Sequence, residues 1–174
     1  MNFLSLLKRS IIYKLKKKIS IDGDNLSKKS LDDLFHYYGS DKANFFKKGD
    51  RQGHGYSNFY VNHLQHLRNK KINILEIGSY AGASAAAFTK YFPNANIFCF
   101  DVNISNFIYM SKKINVYGVD INNKKKIKKI LQKLFITHKF NSFDLIIDDG
   151  SHNLKDILLS LNLFFKNLND NGIF

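Results

Sequence analysis

A chain of 174 residues, 44% of them hydrophobic, is long enough for one ordinary domain that buries its own core without disulfide or metal staples. The formal net charge of +13 comes almost wholly from lysine, since Arg9, Arg51 and Arg68 are the only arginines, and this balance argues against a specific nucleic-acid partner, whose recognition favours the planar guanidinium fork. The sole cysteine, Cys99, sits in the apolar run 97–100, which excludes a disulfide framework or a cysteine zinc site and leads us to expect a reducing, cytoplasmic setting.

Residues 1–20 set Phe3, Leu4, Leu6, Leu7, Ile11, Ile12, Leu15 and Ile19 among Lys8, Arg9, Lys14, Lys16, Lys17 and Lys18, the pattern of a basic amphipathic helix. Its apolar runs are too short to span a bilayer and no small-residue cleavage site follows, so neither a transmembrane anchor nor a signal peptide is expected. Two roles stay open: packing on its own domain or on a partner, including a second copy, and peripheral attachment to an anionic membrane. Residues 21–30 are polar and read as a linker, which divides the chain into an N-terminal helix with linker, 1–30, and a domain, 31–174.

The spacing then predicts a helix over 31–38, a loop over 39–57 punctuated by Gly39, Gly49, Gly53 and Gly55, and a helix over 58–69. From there strands and helices take turns. Strands are expected at 72–77, 96–100, 114–119 and 143–147, and helices at 84–91, 103–112, 124–135 and 154–168, the last followed by a turn at 169–172. Strands apolar on both faces that alternate with helices mean a Rossmann-like α/β fold, a parallel sheet with helices on both faces. Lys124, Lys125, Lys126, Lys128 and Lys129 read as a solvated helix face, with non-specific attraction to nucleic acid as the alternative. Ile173 and Phe174 look like the opening of a fifth strand, so the sheet is expected to be incomplete at the C-terminus, as in a truncated product.

In open parallel sheets ligands bind beyond the carboxyl ends of the strands, and here those positions are acidic and glycine-rich. Glu76, the only glutamate, precedes Gly78, Ser79, Tyr80, Gly82 and Ser84; Asp101 follows the second strand, Asp120 the third, and Asp148, Asp149 and His152 the fourth. Gly78 and Gly82 allow a sharp strand-to-helix turn and close approach of a ligand to the backbone. A dinucleotide fingerprint would need glycine where Tyr80 stands, so G-x-G-x-x-G is not met, and no lysine is placed as in a P-loop. Asp101 is spaced to accept hydrogen bonds from both hydroxyls of a ribose, and Asp120 to face an adenine amino group. Either aspartate alone could equally cap the next helix.

Taken together, Glu76-Ile77-Gly78, Asp101, Asp120 and the run from Asp144 through Asp148, Asp149 and Gly150 to Ser151 and His152 resemble class I S-adenosylmethionine-dependent methyltransferases. The likeness is to the metal-dependent sugar O-methyltransferases of macrolide and rhamnosyl-polyketide tailoring in particular. Tyr38-Gly39-Ser40-Asp41-Lys42, followed by His54, Gly55, Tyr56 and Tyr60, also resembles that group's approach to the cofactor pocket. The resemblance implies that Tyr38, Ser40, Glu76, Gly78, Ser79, Tyr80, Gly82, Ser84, Asp101, Asp120 and Asp148 bind S-adenosylmethionine, that Asp149 is a ligand of Mg2+, and that His152 is the general base. It implies a small-molecule or glycan acceptor. It also implies a Glu-Asp pair after the fifth strand, so the metal site is expected to be incomplete within 174 residues. A catalytically weak or inactive S-adenosylmethionine-binding scaffold is the alternative.

Overall fold

The computed structural model describes residues 3–46 and 51–174, so Gly49 lies outside the described residues. Six helices run in chain order: α1 (Phe3–Leu15), α2 (Leu31–Tyr38), α3 (Ser57–Leu64), α4 (Ala83–Tyr91), α5 (Lys124–His138) and α6 (Leu154–Phe164). The main sheet has five strands, β1 (Asn73–Ile77), β2 (Asn96–Asp101), β3 (Ile114–Gly118), β4 (Phe143–Asp148) and β5 (Leu168–Ile173). All neighbours are parallel and the spatial order is β3-β2-β1-β4-β5. Strand order therefore reverses between β1 and β4, which opens a crevice at their carboxyl ends.

Side chains alternate along each strand, so β1 and β2 feed two cores. Ile74, Ile97 and Cys99 join a cluster with Leu34, Phe35, Ala86 and Phe88 of α2 and α4, whereas Leu75, Ile77, Phe98 and Phe100 join Ile127, Leu131 and Leu134 of α5. Helices thus cover both faces, as the two-sided apolar strands require. Burial pushes the Cys99 thiol well up, in keeping with an inert core residue.

Local signals set the helix bounds. The Ser30 side chain caps α2 by accepting from Asp33 N, and Gly39 ends it at φ 78°. Leu31, Leu34, Phe35 and Tyr38 recur at helical spacing and are buried. In α5 the Asn123 side chain accepts from Lys126 N, and Lys124, Lys125, Lys128 and Lys129 point to solvent.

Three expectations are corrected. Residues 103–112 form no helix: a 3-10 turn at Ile104–Asn106 leads into Tyr109–Met110, which pairs in parallel with Ile19–Ser20. The apolar spacing of Ile104, Phe107 and Ile108 looks helical, but Phe107 is buried under Gly82 and the backbone partner comes from the far N-terminus. The helix expected over 154–168 ends at Phe164, and residues 169–172 lie within β5, whose register shifts between Phe143 and Leu145 of β4.

Residues 21–30 are tied down rather than free as a linker. Ile21 is fully buried; Asp22 accepts from Ser111 Oγ at 2.6 Å, and Asp24 accepts from the Tyr38 hydroxyl at 2.8 Å and, through its carbonyl, from Lys90 Nζ at 3.0 Å.

Candidate cofactor cleft and active site

The crevice is built at Gly78. Its N–H donates to Phe100 O at 2.8 Å, and Asp149 N donates to Ile77 O at 2.9 Å, so the chain leaving β4 crosses directly over the chain leaving β1. Gly78 has φ 83° and a Cβ there would overlap the Asp149 carbonyl, so only glycine fits. Two residues on, Tyr80 takes φ 44°, the left-handed conformation that a glycine would adopt without strain. Its N–H donates to Asp101 Oδ2 at 2.7 Å while the ring points outward, and Asp101 Oδ1 accepts from Asn103 N.

Three cavities meet around the loop after β4. The first, about 410 Å³, is lined by Gly78, Tyr80, Asp101, Asp120, Asn122 and Asp149 among others. The second, about 310 Å³, includes Ser40, Lys42, Ser79, Ser84, Asp149 and His152, and shares Gly78, Tyr80 and Asp149 with the first. The third, about 350 Å³ and mainly apolar, lies between α3 and β4 and is lined by Phe59, Tyr60, His63, Asp148, His152 and Ile157 among others. His152 therefore borders two cavities, and so does Asp149.

Beneath the glycine loop sits a buried charge cluster. Glu76 is fully buried; Oε1 accepts from Ser84 Oγ, and Oε2 has no hydrogen-bonding partner among the described residues. Burial raises the Glu76 pKa, against the pull of Lys42 and of the Ser84 and Ser79 hydroxyls. Lys42 is 4% exposed, and its ammonium is bonded to Asp149 Oδ2. Burial works against that charge, but the carboxylates of Glu76 and Asp149 outweigh it and hold the ammonium on. The Tyr60 phenol, pushed up to about 12 chiefly by burial, stays protonated. His152, exposed and at φ 57°, holds Nε2 3.8 Å from Asp149 Oδ1. A non-glycine residue in this region costs of order 1 kcal/mol and is found most often where function fixes a side chain.

The expected site residues divide by position. Ser40, Gly78, Ser79, Tyr80, Ser84, Asp101, Asp120, Asp149 and His152 line one or both of the first two cavities. Asp148 faces the third cavity instead, with Oδ1 accepting from Gly150 N at 3.1 Å. Glu76 lies below the cleft rather than on its wall, and Gly82 is a packing position whose Cβ would strike the Phe107 ring. Tyr38 is turned away: its hydroxyl bonds Asp24 and its ring stands edge-on to Tyr109. The sequence reading assigned no role to Lys42, whose burial is invisible in a polar loop, nor to Phe59 and His63 on the apolar cavity. No group of three or more His, Cys, Asp or Glu side chains gathers among the described residues, and Lys42 already occupies Asp149, so these residues by themselves do not fit a magnesium centre.

No family model matches the chain. In sequence it is 23% identical over 128 residues to mycinamicin VI 2''-O-methyltransferase of Micromonospora griseorubida, over 70% of this chain and 30% of that protein. In structure it is similar to MycE methyltransferase from the mycinamycin biosynthetic pathway in complex with Mg and SAH, with TM-score 0.57, 23% identity, and coverage of 84% of this chain and 34% of that one. The same enzyme with Mg, SAH and mycinamycin VI gives TM-score 0.58 and 24% identity over 84% of this chain and 35% of that one. The chain thus spans about a third of the length of the relatives it matches. These likenesses show the Rossmann-like α/β fold that the chain shares with methyltransferases and, in sequence, a resemblance to a 2''-O-methyltransferase.

Proposed function

We propose that the chain binds S-adenosylmethionine in the crevice at the carboxyl ends of β1, β2 and β3. On this reading it is the cofactor-binding part of an O-methyltransferase acting on a sugar hydroxyl of a natural product or surface glycan. The observation that carries the reading is the convergence of Gly78, Tyr80, Asp101, Asp120 and Asp149 on one cavity, continuous in its lining with the one that holds Ser40, Ser79 and Ser84. Each Asp101 oxygen spends one lone pair on a backbone N–H and keeps another for a ribose hydroxyl. Asp120 and Asn122, hydrogen-bonded to each other, form the polar edge for the base.

S-adenosylmethionine would supply a methyl group on a sulfonium sulfur. His152, between the polar cavity and the apolar one, would take the proton of an acceptor hydroxyl seated against Phe59, Tyr60 and His63, and the methyl group would leave its sulfur, as a neutral thioether, for that oxygen. The Asp149 carboxylate, its Oδ2 bonded to Lys42, lies 3.8 Å from Nε2 of that imidazole. Mg2+ at Asp149 forms no part of this scheme, because Lys42 is bonded to that carboxylate and no three-group cluster gathers around it among the described residues.

Isothermal titration of the 174-residue chain with S-adenosylmethionine tests the reading. We expect saturable binding that Asp101→Ala weakens about tenfold or more while His152→Ala leaves it within about twofold. Absence of binding by the folded wild-type chain would overturn the reading.

A further inference from the structure

We propose that α1 is an interfacial helix that docks the protein on an anionic lipid surface. The helix is apolar on two sides, and its own domain covers only one. Inward, Leu6 is buried and the Tyr13 ring stands edge-on to Phe107, while Arg9 donates to Val102 O at 2.9 Å and Lys16 to Ser105 O at 3.1 Å. Outward, Leu7, Ile11 and Leu15 recur at helical spacing on the opposite side with 46%, 49% and 82% exposure, and Ile12 beside them is also exposed. Lys8 and Lys14 flank this stripe and Lys17 closes its end, all three exposed.

Charge chooses the occupant. The protein carries +13, so a second copy laid on the stripe would set lysines against lysines within a body already self-repelling. An anionic headgroup layer gives those lysines counter-charge and gives Leu7, Ile11 and Leu15 an acyl boundary in which to bury. Basic charge continues past the helix: Leu6 shares the lining of a cavity of about 490 Å³ with Lys124, Lys125 and Lys126 at the start of α5. Among the described residues no helix is long and apolar enough to cross a membrane, so α1 would lie in the interface plane. The inner face of α1 holds Val102, which lines the 410 Å³ cavity beside Asp101, so docking by the outer face would set that rim one helix diameter, ~10 Å, from the lipid surface.

Vesicle co-sedimentation of the full chain tests the proposal. The protein is expected to sediment with phosphatidylcholine vesicles containing about a quarter phosphatidylglycerol, not with phosphatidylcholine alone, and to be released by salt. Ile11→Ser/Leu15→Ser, on the solvent side, should weaken vesicle binding by more than about tenfold, and Lys14→Gln/Lys17→Gln by about thirtyfold, both with the wild-type melting temperature. Absence of binding to anionic vesicles, or equal binding by wild type and Ile11→Ser/Leu15→Ser, overturns the proposal. So does a dimer in light scattering that the same serine pair abolishes, since the stripe would then belong to a second copy.

Discussion

The backbone N–H of Tyr80 donates to Asp101 Oδ2 at 2.7 Å, so a side chain adds to the backbone bond from Gly78 N to Phe100 O in tying the loop after β1 to the end of β2. The bond demands that Tyr80 adopt φ 44°, although no glycine is present to make that conformation easy. Tyr80→Gly should stay within about 1 kcal/mol of wild-type stability, because the relief of left-handed strain offsets the added backbone entropy. Tyr80→Val, β-branched at a positive φ, should cost about 1–2 kcal/mol or more in urea unfolding. Equal stability of the two variants would mean that the loop relaxes and that the tie to Asp101 does not constrain it.

Gly78 is the tighter constraint. A Cβ there meets the Asp149 carbonyl, backbone that cannot step aside without moving the crossing of β1 and β4. We expect Gly78→Ala to destabilise the protein by about 3 kcal/mol or more and to abolish S-adenosylmethionine binding, whereas Gly23→Ala, in open space and at an ordinary φ, should be nearly neutral. Chemical denaturation and calorimetric titration of the two variants side by side check this contrast.

Lys42 and Asp149 yield a prediction about metal. With the Lys42 ammonium on Oδ2 and His152 near Oδ1, millimolar Mg2+ should leave the melting temperature of the 174-residue chain unchanged. Lys42→Met removes the cation that Asp149 and Glu76 share and should destabilise the fold by about 2–3 kcal/mol, somewhat under the figure for a fully buried pair because Asp149 is a third exposed. A magnesium-dependent rise in wild-type melting temperature would show that the carboxylate is accessible to a cation despite Lys42.

The bounds of β1, β2, β3 and β4 were legible in sequence to within a residue, because strands buried on both faces must be continuous apolar runs. Asp101, Asp120, Asp149 and His152 were legible as cleft residues for a related reason: in a parallel sheet every strand points its carboxyl end the same way, so the residues that follow the strands converge. Pairings between distant segments were not legible. Ile19–Ser20 holds Tyr109–Met110 out of a helix that local spacing favours, and nothing near either dipeptide announces the other. Lys42 is the same problem in electrostatic form. A lysine in a polar loop reads as solvated, and only the return of the chain 107 residues later, at Asp149, makes its burial tenable.

Glu76 carries the pH prediction. Burial lifts its folded-state pKa above the ordinary value of 4.5, and the attraction of Lys42 does not cancel the lift. Below 4.5 both folded and unfolded chains hold the proton and the group costs nothing; as pH rises from there, the unfolded chain releases its proton first. Stability is therefore lost as pH climbs through the folded pKa, and the deficit remains above it. Glu76→Gln keeps the shape and the acceptor for Ser84 Oγ but cannot ionise, and Asp149 still pairs with Lys42. The melting temperature of Glu76→Gln minus that of wild type should thus rise from pH 4.5 and level off once the pH has passed the folded pKa, in scans that share buffer and salt. A difference that never rises above its value at pH 4.5 would mean that the attraction of Lys42 outweighs the burial of Glu76.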